Sequence, residues 1–298
     1  MSRADGLDPN LTPARPDLAA AFLRGRVAAD RFVDGVRRQA VRGIVPVRGR
    51  PSADAPQTTE LLFGETCAVF EEREGWAWLQ GEADGYVGYA SAAALTARVA
   101  EPDHAVAALR CFVYPAPDFK RPPQRALALG ARVAARGRDG RWVRVAPDEG
   151  GEGWVVAEAL RPLETPAGDP AATAERFLGV PYLWGGRSSL GLDCSGLVQV
   201  ALVEAGIACP RDTYMQEAAF ADRAMAGALD GDVPAPGAVA RGDLVFFPGH
   251  VGVAVDATRM VHANVTRMAV SIDPIAEVAG WTRAAEGRGV TSICRPGA

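Results

Sequence analysis

The sequence has few of the residues that mark several large protein classes. Cysteine occurs five times, at Cys67, Cys111, Cys194, Cys209 and Cys294. The set is odd, scattered and without a CxxC pair, so it excludes a dense disulfide framework and points to a reducing compartment. No stretch approaches 18 uninterrupted apolar residues, so no membrane-spanning helix is expected. The opening MSRADGLDPNLTPARPDL has acids and prolines but no apolar core, so no signal peptide is expected either. Together these point to a cytoplasmic protein. The formal net charge is only −4, which leaves no electrostatic footprint for nucleic acid or an anionic membrane. Histidine appears three times, at His104, His250 and His262.

Glycine and proline are abundant, 33 and 22 residues, which favours turns and short strands over a helical bundle. Residues 17–38 are predicted to be helical. Asp17 can cap them, and Phe22, Ala29, Phe32, Val33 and Val36 recur at helical spacing, although Gly25 interrupts the pattern. On this reading residues 1–42 form an N-terminal helical segment packed on a neighbouring domain.

An internal repeat follows. One copy reads LLFGETCAVFEEREGWAWLQGEADGYVGYASAAAL and the other LALGARVAARGRDGRWVRVAPDEGGEGWVVAEAL. Gly64 aligns with Gly130, Trp76 or Trp78 with Trp142, and Tyr86 or Tyr89 with Trp154. Each copy alternates apolar and polar residues over short runs split by Gly and Asp, as half-buried strands do. Each has the size of a small β-barrel, and the pattern resembles bacterial SH3 domains. These are expected at 43–100 and 101–163.

After a linker, RPLETPAGDPAA, comes a third unit, 164–298. A short helix is predicted at 171–178 and a longer one from Asp193 to Ala205, stopped by Gly206. GDLVFFPGHVGVAVDATRMVHANV then reads as consecutive antiparallel strands. Helices followed by such a run make an α+β domain.

Asp193 is a good N-cap, which puts Cys194 at the first helical position, with Leu197, Val198, Ala201, Leu202 and Ala205 on one apolar face. Unpaired backbone N–H groups and the positive helix end favour the thiolate, the nucleophilic form. A small buried hydrophobe is the competing role for such a cysteine. His250 and His262 lie in consecutive strands. Residues of an antiparallel pair share a face only when the register has matching parity. The sum of 250 and 262 is even, so the turn needs an odd loop, for instance Asp256-Ala257-Thr258. Cys194, His250 and His262 can then supply a nucleophile, a base and a group that orients the base. His104 falls between the repeats and is expected to be solvated.

VPYLWGGRSSLGLDCSGLVQVAL, PRDTYMQ, RGDLVFFPGHVGVAVD and MVHAN together resemble the NlpC/p60 cysteine peptidases, which have a papain-like core. The resemblance covers about residues 166–298. Two SH3 domains ahead of the peptidase resemble the subgroup of γ-D-glutamyl-L-diamino acid endopeptidases. It implies Cys194 as nucleophile, His250 as base and His262 as the orienting residue, a position for which Asn264 is an alternative in kind. It also implies a murein peptide substrate, L-Ala-γ-D-Glu-diaminopimelate, with no cofactor and a monomeric protein. Tyr182 is expected near the thiol, helping to hold the oxyanion with the Cys194 N–H. Asp193 and Asp212 are expected to meet the free amine of L-Ala, Trp184 to wall its pocket, and Ser195 and Thr213 to supply hydroxyls. In similar enzymes a Glu and a Tyr of the first SH3 domain contact this amine. Glu65 matches in kind, as do both Tyr86 and Tyr89.

Two other readings use the same residues. Cys194, His250 and His262, perhaps with Cys209, are plausible zinc ligands, but the spacing has no close ligand pair. Alternatively the SH3 repeats carry the function, as a peptide- or wall-binding adaptor.

Overall fold

Short alternating runs broken by glycine become strands throughout the first half of the chain. In a computed structural model, residues 6–146, 153–225 and 227–297 are described, and the chain divides into two units, Met1–Glu164 and Thr165–Ala298.

In the first unit the first repeat forms β1 (Val36–Ala40), β2 (Ile44–Arg48), β3 (Gln57–Leu62), β4 (Thr66–Arg73), β5 (Trp76–Gly81), β6 (Val87–Ser91) and β7 (Leu95–Thr96). They pair in the order β3-β2-β6-β5-β4-β1-β7. The second repeat forms β8 (His104–Val106), β9 (Arg110–Val113), β10 (Arg125–Ala128), β11 (Arg132–Asp139), β12 (Trp142–Ala146), β13 (Gly153–Val156) and β14 (Leu160–Pro162). Here β10 pairs with β9, a bridge joins Tyr114 to Trp154, and the order continues β13-β12-β11-β8-β14. The two orders are the same, strand for strand. Residues 147–152, part of the second copy, lie outside the described residues.

The pairing settles which aromatics correspond. Trp76 opens β5 opposite Ser91 and Trp142 opens β12 opposite Val156, so these two tryptophans match. Tyr89 bridges to Arg48 as Trp154 bridges to Tyr114, so Tyr89 is the counterpart of Trp154. The glycines match as well. Gly64 (φ +79) donates to Ala40 O at 2.9 Å, and Gly130 (φ +87) donates to Val106 O at 2.9 Å. Both use a left-handed conformation that glycine adopts freely. In place of the expected closed barrels, the sheets are open ladders whose two ends do not pair. The end strand β7 is two residues long, too short to seal a ring.

The repeats share apolar core. Leu62 and Phe63 of the first pack with Val106, Val113, Leu127, Val133 and Val155 of the second. Arg132 N–H donates to Phe63 O at 2.7 Å, and a Cβ on Gly64 would lie 1.8 Å from Arg132 O. Only glycine permits that approach.

The helix expected at 17–38 is not formed. Ala19–Ala20 pairs in parallel with Phe32–Val33, Ala21–Leu23 is a single 3-10 turn, and Val36–Ala40 is β1. Gly25 turns the chain at φ +80, and the stretch around it is rich in β-branched and aromatic residues that favour extended backbone. Phe22 and Val36 are exposed, so the helical spacing marked no buried stripe.

In the second unit, α1 (Pro170–Glu175) and α2 (Cys194–Glu204) form where expected, capped by Asp169 and Asp193. Gly206, at φ +81, follows the end of α2. A shorter α3 (Thr213–Ala219) comes next. The sheet has strands β15 (Leu244–Phe247), β16 (His250–Ala254), β17 (Arg259–Asn264), β18 (Ala269–Pro274) and β19 (Ser292–Cys294), with α4 (Ile275–Glu286) before the last. Its order is β18-β17-β16-β15-β19, antiparallel throughout. Helix α2 packs on β16 and β17 and is buried on every side, including Gln199. Leu197, Val198, Ala201 and Leu202 are fully enclosed, each stabilising the unit by about 1–3 kcal/mol. No helix among the described residues is long and apolar enough to cross a membrane.

Candidate active site

The N-terminus of α2 is built around a buried ion pair. Asp193 caps the helix through Oδ1, which accepts from Gly196 N at 2.7 Å. The same carboxylate accepts from Gly185 N (2.8 Å), the Ser195 hydroxyl (3.3 Å) and both terminal nitrogens of Arg211 (2.8 and 2.7 Å). Arg211 is wholly enclosed and also donates to Ser195 Oγ and Gly186 O. Backbones press together here, and a Cβ on Gly196 would lie 2.1 Å from Gly186 O. The glycines of YLWGG and DCSG are therefore packing requirements, and Gly185 adds a turn at φ +74.

This fixes Cys194 as the first residue of α2, 8% exposed. Its Sγ lies 3.7 Å from Thr213 Oγ1 and receives the backbone N–H groups of Ser195 and Val251. Burial, followed by the Asp193 charge, pushes the thiol up to about 11. The hydrogen bonds on the sulfur pull the other way without winning. The expected preference for thiolate is thus overridden at rest, because burial penalises charge more than one helix end favours it.

The Val251 contact sets the start of β16 against the sulfur. His250 follows a turn at Gly249 (φ +66). Strands β16 and β17 pair Val253 with Val261 and Ala254 with Met260, and Val255 N donates to Arg259 O at 2.9 Å. The loop is then Asp256-Ala257-Thr258, of the odd length that parity requires. His250 Nε2 and His262 Nδ1 meet at 2.7 Å. His262 is fully buried and stacks on Trp281, with ring centroids 6.3 Å apart. Burial, and then the neighbouring His262, pushes the His250 imidazole down to about 3. Burial thus opposes charge on the thiol and on the imidazole alike.

Two residues of the site's hydrogen-bond network were not singled out from the sequence. Asp273 Oδ2 lies 3.2 Å from His262 Nε2, and Arg267 donates to Asp273 Oδ1 at 3.1 Å. Ser271 donates to Oδ2 at 2.5 Å. Burial works against the Asp273 carboxylate, but these bonds outweigh it and hold it below the usual carboxylate range. The clue was parity, since Ser271 and Asp273 alternate on the strand facing His262. Arg211 is the other, and only the need of a buried Asp193 for a counter-charge pointed to it.

Of the remaining candidates, Tyr182 is half-buried near the thiol, and burial, then the charges of Cys194 and Asp193, raises its hydroxyl. Trp184 is exposed, and Asp212 and Thr213 sit at the start of α3. Asp193 and Ser195 were expected to face substrate. Their oxygens are instead engaged in the Arg211 network, because an enclosed guanidinium demands acceptors. Asn264 lies beside His262, 3.2 Å from Nε2, and so flanks the array without continuing it. Glu65, Tyr86 and Tyr89 belong to the first unit. Glu65 accepts from Leu62 N at 2.8 Å, Tyr86 is buried, and the Tyr89 hydroxyl accepts from Arg15 at 3.0 Å. His104 is a half-buried strand residue bonded to Asp103 at 2.7 Å, where a solvated linker was expected.

The pattern of the NlpC/P60 family matches residues 179–287, and that of the bacterial dipeptidyl-peptidase Sh3 domain matches residues 47–95. The chain carries an NlpC/P60 domain behind a bacterial SH3 domain. The dipeptidyl-peptidase 6 of Lysinibacillus sphaericus is 33% identical over 105 residues, 35% of each chain. The γ-D-glutamyl-L-lysine dipeptidyl-peptidase of Bacillus subtilis strain 168 is 36% identical over 119 residues, 37% of this chain and 36% of that protein. The match thus spans about a third of these relatives. A crystal structure of an NlpC/P60 family protein from Bacillus cereus superposes with a TM-score of 0.71 at 20% identity, covering 87% of this chain and 99% of that one. The fold is therefore common to both over nearly their whole length. All three array residues, Cys194, His250 and His262, lie inside the NlpC/P60 match, as does Asp273.

Proposed function

We propose that the protein is a cysteine endopeptidase that hydrolyses the bond between γ-D-glutamate and an L-diamino acid. The observation that carries this is the run of hydrogen bonds from His250 through His262 to Asp273, on strands whose start meets the Cys194 sulfur through the Val251 N–H. His250 Nε2 is engaged by His262, which leaves Nδ1 to accept the thiol proton. Attack by Sγ on the scissile carbonyl then pushes charge onto its oxygen, met by the Cys194 N–H and the Tyr182 hydroxyl. His250, now imidazolium, returns the proton to the leaving amine. Water, activated by the same imidazole, releases the γ-D-glutamyl product from the thioester. His262 steadies the imidazolium throughout. No other reactant is needed.

The substrate proposed is a murein peptide with a free N-terminal L-Ala and diaminopimelate third, taken up in cell-wall recycling by a monomeric, cytoplasmic enzyme. The names of the relatives in Lysinibacillus and Bacillus support a dipeptidyl specificity. Five scattered cysteines, with no disulfide among the described residues, support a reducing compartment. Recognition of the amine is assigned to Asp212, Thr213 and Trp184. The zinc reading is disfavoured because His250 and His262 turn ring nitrogens towards each other. The adaptor reading has one observation in its favour, a groove of about 720 Å³ on the second repeat lined by Phe112, Tyr114, Phe119 and Trp142.

The test is turnover of L-Ala-γ-D-Glu-diaminopimelate and of its L-Lys counterpart, with Cys194→Ala as control. Release of L-Ala-D-Glu by the wild type alone is expected. Equal release by Cys194→Ala removes the proposal.

A further inference from the structure

We infer that Asp273 is a positioning residue that selects the tautomer of both histidines and thereby keeps Nδ1 of His250, the nitrogen that His262 does not engage, an acceptor. For its kinetic arm this rests on the peptidase reading. Strands β17 and β18 pair His262 with Ser271 and Asn264 with Ala269. Residues 262 and 264 share one face of β17, and 271 and 273 share the same face of β18. Two groups consequently compete for His262 Nε2, the Asp273 carboxylate at 3.2 Å and the Asn264 amide nitrogen at 3.2 Å.

They demand opposite tautomers. An ionised carboxylate only accepts, so it requires a proton on Nε2. An amide nitrogen only donates, so it requires a lone pair there. The amide is not free to flip, because Asn264 Oδ1 accepts from Arg267 N at 2.8 Å while Nδ2 donates to Ser271 Oγ at 2.8 Å. If Asp273 prevails, His262 carries its proton on Nε2 and a lone pair on Nδ1. His250 must then donate from Nε2, and its Nδ1 is left as an acceptor for the thiol proton. If Asn264 prevails, every proton in the array shifts by one place. His250 would then carry its proton on Nδ1 and be no base at all. Burial lowers His262 and Asp273 only partly restores it, so His262 stays a neutral ring for which tautomer is the decisive variable. The groups facing Asp273 are His262, Arg267 and Ser271, and none but His262 is a base.

Arg267 makes this testable by an isosteric change. In Asp273→Asn the amide oxygen must stay on the side of the Arg267 guanidinium, which only donates. The amide NH₂ is thereby aimed at His262 Nε2 and joins Asn264 in demanding a lone pair. In Asp273→Ala the carboxylate is removed and Asn264 alone meets Nε2, so the same switch is expected there. A residue that merely fills space predicts harm from Ala but little from the isosteric Asn, whereas tautomer selection predicts comparable harm from both.

The experiment is ¹⁵N–¹H NMR of the imidazoles in the full chain, with kcat measured alongside. The wild type is expected to show His262 protonated at Nε2, and Asp273→Asn at Nδ1. We expect kcat to fall about 10²- to 10⁴-fold in Asp273→Asn, the scale of a wrong-tautomer histidine, with KM little changed. Asp273→Ala should fall to within about tenfold of Asp273→Asn. An unchanged His262 tautomer in Asp273→Asn overturns the inference, as does an Asp273→Asn variant that keeps kcat near wild type. If the NMR signals switch as expected but the wild type cleaves no γ-D-glutamyl peptide, the peptidase reading fails and the tautomer assignment stands.

Discussion

Replacing Arg211 by methionine tests whether the nucleophile's helix is held by charge or by packing. The side chain is wholly enclosed, and Asp193 beside it is 7% exposed. Methionine nearly fills the same space, so the loss is mainly electrostatic. The Asp193 carboxylate keeps the backbone N–H groups of Gly185 and Gly196 but loses two charge-assisted bonds of 2.7 and 2.8 Å. Removing one partner of a buried pair costs about 3–5 kcal/mol, because the other is left charged and poorly solvated. With a urea m-value of about 1–3 kcal/mol/M, the unfolding midpoint of the second unit should fall by about 1 M or more. Trp184 and Trp281 fluorescence can follow it. Adding Asp193→Asn neutralises the stranded charge while retaining an N-cap oxygen. The double variant should therefore be more stable than Arg211→Met alone. An Arg211→Met midpoint within about 1 kcal/mol of wild type, or a double variant less stable than the single, would refute this account.

Three further outcomes follow from the same geometry. Because burial pushes the Cys194 thiol up and the His250 imidazole down, alkylation of Cys194 by iodoacetamide should accelerate steadily from pH 6 to 9. A plateau beginning near pH 6 would reveal a resting ion pair instead. His250 is held near 3 in the folded chain against an ordinary 6.5, so below pH 6.5 the unfolded chain takes up a proton that the native one refuses. Stability should thus fall as pH drops from about 6.5 towards 3, and His250→Gln should flatten that slope in urea titrations at stepped pH. For recognition, N-acetylation of the tripeptide should lower kcat/KM at least about tenfold, about 1.4 kcal/mol, with Asp212→Ala narrowing the gap. Equal cleavage of both peptides would remove the assigned amine pocket.

What could be read from the sequence divides along physical lines. The helix at Cys194 was legible because capping is local, with one side chain, one N–H and a spacing of three. The approach of His250 to His262 was legible because strand parity is arithmetic once two strands are consecutive. The repeat was legible from Gly64 and Gly130, each of which serves a left-handed turn at the same place in its sheet. The segment at 17–38 misled because apolar residues at helical spacing carry no sign of whether a sheet edge will capture them. Gly25 and the β-branched neighbours were the better signal. Arg211 and Asp273 were missed for different reasons. Arg211 meets Asp193 from a loop 18 residues away, which no local pattern encodes, whereas Asp273 lies on the next strand, 11 residues on, and was open to the same parity argument as the two histidines.

The two hidden residues also explain how a neutral, buried site can be reactive. Burial alone would leave a thiol pushed up and an imidazole pushed down, a pair with little tendency to exchange a proton. What compensates is that the charges stay fixed one layer away. On one side Asp193 and Arg211 lock the backbone that presents Sγ. On the other, under the proposed mechanism, Asp273, steadied by Arg267 and Ser271, faces from behind His262 the positive charge that would arise once His250 takes the thiol proton. The carboxylate is ionised before, during and after that transfer, so its field favours the charged state more than the resting one. Stabilisation of this differential kind lowers a barrier without deepening the ground state. It also fixes where the sensitivity should lie. Asp273→Asn leaves size and fold almost untouched, so its cost should appear in kcat, whereas the cost of Arg211→Met should appear first in the unfolding midpoint.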